Sequence, residues 1–385
     1  MQTDSKLFSY TSFLIFIGII FSYSLTTYAV LRWDVSQFHF LIRQLIVGVI
    51  SIYLMWQISR LNPDKALYIL GFTLFLGSLG LMVMMQFLPD SLVTEVGGAK
   101  RWIKFAGISI APVEFFKIGF IFFLAWSFSR KIENNKPLLE EIKIFLPYMI
   151  AFLIVIYLIA ILQNDLGQVI VLGITLAVMA VLAGSSYRFF FIITLSAMAV
   201  FIMAIVTSPH RIARIKIWWA NIQNFVLSFL PDSFSNYLKI SDTPDTLQIT
   251  NSLNAIKHGG FTGQGLANGS FKLGFLSEIH TDFVLSGIAE EIGTLSVIAI
   301  IFIFFIMTYR VFKISARSEN KTFYLFSAGV ALSLITSFLM NSFGVTSLTP
   351  IKGIAVPFLS YGGSSLLANA IAIGMVLMIS KRVKL

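Results

Sequence analysis

Long apolar runs separated by short polar breaks dominate the chain. A helix that crosses a membrane needs roughly 20 mostly apolar residues, and ten runs approach that length: Tyr10 to Leu31, Phe40 to Ile58, Ala66 to Leu88, Pro112 to Phe128, Ile144 to Leu162, Leu166 to Ala183, Phe189 to Thr207, Phe283 to Tyr309, Phe323 to Val345 and Val356 to Ile379. The pattern predicts an all-α integral membrane protein, with residues 1–385 forming a single polytopic domain of about ten transmembrane helices. The first run has no small-residue cleavage site and is long enough to span, so it reads as a membrane helix rather than a signal peptide.

Composition agrees with the pattern. Of the 385 residues, 57% are hydrophobic and 12% charged, against about a quarter charged in a soluble protein. The absence of cysteine excludes disulfide scaffolds, Cys-ligated metals and thiol catalysis. A net charge of +10 would point to nucleic acid in a soluble protein; here topology accounts for most of it, and no nucleic-acid partner is expected. Lys and Arg collect at cytoplasmic helix ends. With the N-terminus inside, 15 of the 28 basic residues fall in the cytoplasm, in clusters such as Arg130, Lys131, Lys136 and Lys143, or Arg310, Lys313, Arg317 and Lys321. Only 7 of the remaining 13 lie outside the one long loop, so both termini are expected to be cytoplasmic.

This topology gathers the polar stretches 90–111, 163–165, 208–281 and 346–355 on the outer face. The loop between helices 7 and 8, residues 208–281, is much the longest, and long loops without their own domain are usually functional. Its opening run, Arg211-Ile-Ala-Arg-Ile-Lys-Ile-Trp-Trp-Ala, mixes bases and aromatics like an interfacial helix; it either anchors the next span or touches a lipid-linked ligand. Asp242-Thr-Pro-Asp signals a turn, and 247–257 a short helix ended by Gly259 and Gly260. Gly263-Gln-Gly265 lacks the βαβ context of a dinucleotide site, and Walker A, HExxH and GxSxG patterns are absent.

Ionisable groups within or beside membrane segments are functional candidates. Glu114 and Lys117 stand three apart on one helix face and form either a structural ion pair or part of a site. Asp165, between Gln163 and Gly167, either caps the helix starting at Leu166 or shapes a site. Asp282 sits where the long loop meets the eighth helix, sheltered enough to raise its pKa and serve as a general base, unless it caps that helix. Glu290 and Glu291 follow roughly 12 Å deeper on a continuous helix, a depth that suits inter-helix hydrogen bonding. Gly97-Gly98-Ala-Lys100-Arg101-Trp102, Lys352-Gly353 and Ser360-Tyr361-Gly362-Gly363-Ser364 add cations and hydroxyls. Outer-face cations run against the charge bias and so answer to an anion, either phospholipid headgroups or a lipid-linked phosphate.

In order and spacing these segments, together with His280-Thr-Asp282-Phe, Ala289-Glu-Glu-Ile-Gly293 and Pro357-Phe-Leu-Ser360, resemble the SEDS family (shape, elongation, division, sporulation) of bacterial peptidoglycan glycosyltransferases over almost the entire chain. Division-type members are nearer than elongation-type ones. The resemblance implies polymerisation of lipid II on the outer face of the cytoplasmic membrane, at the division septum. Asp282 would be the catalytic base. Lys100, Arg101 and Lys352 would neutralise the departing undecaprenyl pyrophosphate, with Trp102, His280 and Ser360 also binding substrate and Glu114, Lys117, Asp165 and Glu290 shaping the site. It further implies a class B penicillin-binding transpeptidase and other divisome membrane proteins as partners. No resident metal is expected, with an assisting divalent cation (Mg or Mn) left open. Two departures stand out: Asn164 replaces the usual proline of Gln-Pro-Asp-Leu-Gly, and Ser277 replaces the usual proline before Glu278. A lipid II flippase, an elongation-type polymerase and a division scaffold are the competing readings.

Overall fold

The computed structural model describes residues 3–96, 99–105, 108–132, 137–206, 208–229, 231, 238–240 and 247–384. Gly97, Gly98, Lys136 and the predicted turn at 242–245 lie outside them. In chain order the elements are α1 Ser5–Ser24, α2 Thr27–Trp33, α3 His39–Arg60, α4 Pro63–Met84, a sheet of β1 Val93–Val96, β2 Ala99–Phe105 and β3 Ile108–Ile110, then α5 Pro112–Lys131 and α6 Leu138–Ile156, which continues as a π-helical turn Tyr157–Leu162. They continue with α7 Leu166–Ala183, α8 Tyr187–Val206, α9 Pro209–Leu227, α10 Leu247–Gly259, α11 Val284–Ala316, α12 Lys321–Val345 and α13 Gly363–Ser380. Nine helices among the described residues are long and apolar enough to cross a membrane. The tenth predicted span is α8, whose searched apolar run, Tyr187–Ala199, is shorter.

The interior is formed mainly by α5, α7, α12 and α13, while α3 and α4 present rows of exposed Ile, Leu and Val. Between helices in lipid no hydrophobic force operates, so close packing and hydrogen bonds hold the bundle together. Asp4, before α1, accepts from Arg310 of α11 (2.8 Å) and donates its N–H to Ser380 Oγ of α13 (3.0 Å). The first and last helices therefore begin and end together at one end of the bundle. Everything discussed below as the site lies at the other end.

Two predicted spans are reshaped. The run Tyr10 to Leu31 is not one helix: α1 stops at Ser24, and α2 follows separately after Thr26. The eighth run is broken inside α11 at Gly293 (φ 82°, ψ 162°), a region essentially closed to residues with a Cβ. A broken helix leaves main-chain groups unpaired, and these must find partners. The glycine-rich stretch provides them: Gln264 N–H donates to Glu290 O, Gly265 N–H to Glu291 O, and Thr294 N–H to Gly260 O, all at 2.9 Å. A Cβ on Gly293 would collide with Phe261 O, so the glycines serve close backbone approach.

Glu290 and Glu291 stand just before this break, and both make the hydrogen bonds between elements that their position suggested. Glu291 bonds Ser24 at the far end of α1, pairs with Lys272 (2.7 Å) and accepts from Ala267 N–H (3.1 Å). Glu290 accepts from Ser270 N–H (2.7 Å) and contacts His258 Nδ1 (3.0 Å). Both carboxylates are completely buried. They clamp residues 267–272 onto α11, and Glu291 also ties α11 to α1.

Candidate functional site

Asp282 stands at the junction of this clamped loop with α11. The residue at the cap position is Phe283, and no side chain caps the helix, so the capping reading of Asp282 does not hold. Asn341 of α12 fixes the backbone here, donating from Nδ2 to both Asp282 O and Ile354 O (2.7 Å each). Ser360 Oγ adds a second tie, donating to Thr281 O (2.6 Å) and accepting from Val356 N–H (2.8 Å). Gly353 (φ 61°) passes so close that a Cβ there would lie 3.2 Å from Asp282 Oδ2. Asp282, Asn341, Ile351, Lys352 and Gly353 line a cavity of about 10 Å³, room for roughly one water.

Burial pushes the Asp282 carboxyl up to about 7; Glu278 and Asp165 push the same way, and Arg214 and Arg101 oppose them. Asp282 thus holds or releases a proton near neutral pH, as a general base requires. Asp165 accepts from Gln168 N–H (3.2 Å) as the cap of α7. Its pKa is also raised by burial, against the pull of Arg101. It is therefore both cap and part of the site's field.

The cations divide in a way the strand explains. Arg101 is the extra residue of a bulge in β2, between Lys100 opposite Glu95 and Trp102 opposite Thr94, and a bulge re-aims a side chain. Arg101 reaches the α6–α7 break, donating from Nε to Gln163 O (2.7 Å) and from Nη2 to Asn164 O (2.8 Å). Lys100 goes the other way, to Asp90 (3.0 Å) and Leu88 O (3.3 Å). Lys100 is thus not brought to Asp282, a correction to its place beside Arg101. The α9 helix supplies what the sequence reading lacked. Arg214 acts electrostatically on Asp282, Asp165 and Arg101, and Arg211 and Arg214 both act on Lys352. Burial and these like charges lower the Lys352 pKa. The three-residue spacing of Arg211 and Arg214 puts them on one helix face, which was the available signal.

The other predicted residues are distributed around this core. Glu114 and Lys117 form a buried ion pair (2.7 Å), and Gln168 Nε2 donates to Glu114 (2.9 Å), which ties α5 to α7 beneath Asp165. Trp102 packs against the hydrophobic core, with the Arg101 guanidinium 6.0 Å from its ring centre. His280 is buried between Phe40 and Tyr361, at ring separations of 6.1 and 5.8 Å, and burial lowers its pKa. Its ring packs with aromatics, while its carbonyl accepts from Tyr361 N–H (2.8 Å). Ser360 and His280 thus brace the Asp282 segment through the backbone, and Glu290 holds the loop behind it.

A bundle with nine helices among the described residues long and apolar enough to cross a membrane, with a buried carboxylate and several cations gathered at the end remote from its termini, is that of a multi-pass membrane protein. Residues 5–385 match the cell cycle protein model that groups FtsW, RodA and SpoVE. The chain belongs to this family, in agreement with the SEDS resemblance of its motifs. It is 48% identical over 387 residues, 100% of both chains, to the probable peptidoglycan glycosyltransferase FtsW of Helicobacter pylori. It is 32% identical to the protein of the same name from Trichlorobacter lovleyi, over 96% of this chain and 90% of that one. The fold matches a chain from a peptidoglycan synthase complex that coordinates polymerization and crosslinking (TM-score 0.71, 22% identity, 99% and 98% coverage). It also matches the rod shape determining protein RodA of Thermus thermophilus (TM-score 0.66, 20% identity, 99% and 97% coverage).

Proposed function

We propose that this protein is a peptidoglycan glycosyltransferase that polymerises lipid II into glycan strands during division. The observation that carries the reading is the meeting of a carboxylate titrating at about 7 with Arg101, Arg214 and Lys352. Family membership and the division-type relatives support it. Ionised Asp282 takes the proton of the acceptor 4-hydroxyl as that oxygen bonds the donor's C1. The C1–oxygen bond to the diphosphate breaks in the same displacement, inverting the configuration, and Arg101, Arg214 and Lys352 stabilise the departing charge. Cations fixed in place before reaction are worth most in a site shielded from water. The small cavity at Asp282 means that loops must part to admit two sugars. Among the described residues no three His, Asp or Glu side chains gather to hold a metal; a magnesium or manganese ion would come with the diphosphate, and no step here depends on it.

Partner and place belong to the same proposal: a class B penicillin-binding transpeptidase crosslinks the strands, with divisome membrane proteins alongside, at the septum of the cytoplasmic membrane. The test is polymerisation of purified lipid II by the protein with its cognate transpeptidase. Strands that form with the native chain and not with Asp282→Asn support the reading; equal synthesis by both contradicts it.

A further inference from the structure

A second cavity lies far from Asp282, between the last turns of α5 and the middle of α6. It measures about 320 Å³. Trp126, Arg130 and Lys131 of α5 and Pro147, Tyr148 and Ala151 of α6 line it. Pro147 sits inside α6, where a missing N–H and a bulky ring disturb helix regularity. The outer side of α6 carries exposed Leu146, Ile150, Leu153 and Ile154, so the cavity borders the lipid phase.

The mouth is cationic and aromatic. The Arg130 guanidinium stands 4.8 Å from the Trp126 ring centre and Lys131 Nζ 5.6 Å from that of Tyr148. Ser127 and Tyr148 hydroxyls bond each other across the helix pair, fixing the Tyr148 ring. Both cations are exposed, and among the described residues neither has a carboxylate partner. Topology alone would account for two bases at a helix end. It would not account for a cavity opening beneath them, with rings holding both charges at its rim. Basic pockets between membrane helices are chemically matched to anionic headgroups.

We propose that this cavity is a binding site for an anionic phospholipid, with one acyl chain lying between α5 and α6 beside Ala151 and the headgroup phosphate held by Arg130 and Lys131. The site is independent of Asp282 chemistry. The test titrates the detergent-purified full chain with dioleoyl phosphatidylglycerol or dioleoyl phosphatidylcholine and counts retained lipid by native mass spectrometry. The native protein should retain the anionic lipid at a concentration at least roughly tenfold lower than the zwitterionic one. Arg130→Gln with Lys131→Gln should bring the two lipids level. Ala151→Phe, which fills the cavity and keeps both charges, should reduce retention of both. Thermal unfolding of each variant shows that it remains folded, and Lys6→Gln with Arg317→Gln removes equal charge away from α5 and α6 and should change nothing. Excess glycerol phosphate should not displace the lipid; displacement would mean a free phosphate site and overturn the proposal. Equal retention of the two lipids by the native chain, or undiminished selectivity in the double variant, would also overturn it.

Discussion

Gly353→Ala separates the position of Asp282 from the stability of the chain around it. Gly353 has φ 61°, so a side chain there costs about 1–2 kcal/mol of left-handed strain. Its new methyl would also stand 3.2 Å from Asp282 Oδ2, close enough that the carboxylate must move by a few tenths of an ångström. A misplacement of about 1 Å costs around a hundredfold in rate, so this smaller shift should cost several-fold to about tenfold. Gly260→Ala is the control. It has φ 57° and nothing within 4 Å of its new methyl, so it bears the same backbone strain without touching Asp282. Both variants should melt at similarly reduced temperatures in detergent. Single-turnover polymerisation of lipid II should then fall markedly further for Gly353→Ala than for Gly260→Ala. Equal rate losses would refute the claim that Gly353 sets the position of the carboxylate.

Further predictions concern charge. Because Asp282 titrates at about 7 and acts ionised, roughly a tenth is active at pH 6 and nine tenths at pH 8, so polymerisation rate should rise through neutrality. Arg214 favours the ionised form; Arg214→Gln should therefore move the rising limb to higher pH, and a stationary limb would remove Arg214 from the site. Lys272→Met leaves buried Glu291 without its cation and should cost about 3–5 kcal/mol, seen as a large drop in melting temperature. Lys272→Met combined with Glu291→Leu should recover part of it, whereas additive losses would show that the pair is not coupled. Lys100→Ala, which removes a partly exposed pair with Asp90, should leave polymerisation within about twofold of native, while Arg101→Ala should abolish most of it.

The ten-run pattern and the helix boundaries near Leu166 and Lys321 were legible, because hydropathy and capping residues are local signals. The parting of Lys100 from Arg101 was not. It depends on a bulge at Arg101 in β2, and a three-stranded sheet amid ten apolar runs leaves little periodic trace in seven residues. Glu290 and Glu291 were assigned to hydrogen bonding between elements, as found, but the break at Gly293 just after them and their partners in 267–272 were not foreseen. The glycine in Ala289-Glu-Glu-Ile-Gly293 and the glycines of 259–269 are the two halves of one close contact, visible only when brought together. Arg214 was noticed as part of a basic, aromatic helix, yet nothing local says which face of α9 turns toward Asp282. Asn341 was missed altogether, although an asparagine within a membrane helix is itself a sign of specific hydrogen bonding.

The central claim is that Asp282 is the base for strand synthesis, and the most direct measurement is lipid II polymerisation by Asp282→Asn in complex with the cognate transpeptidase, with complex formation verified. Asparagine keeps the shape and cannot accept the proton, so the rate should fall by about 10²–10⁴ while the melting temperature is held or raised, since a buried ionisable group has been neutralised. A well-folded Asp282→Asn complex that makes strands at the native rate would contradict the account.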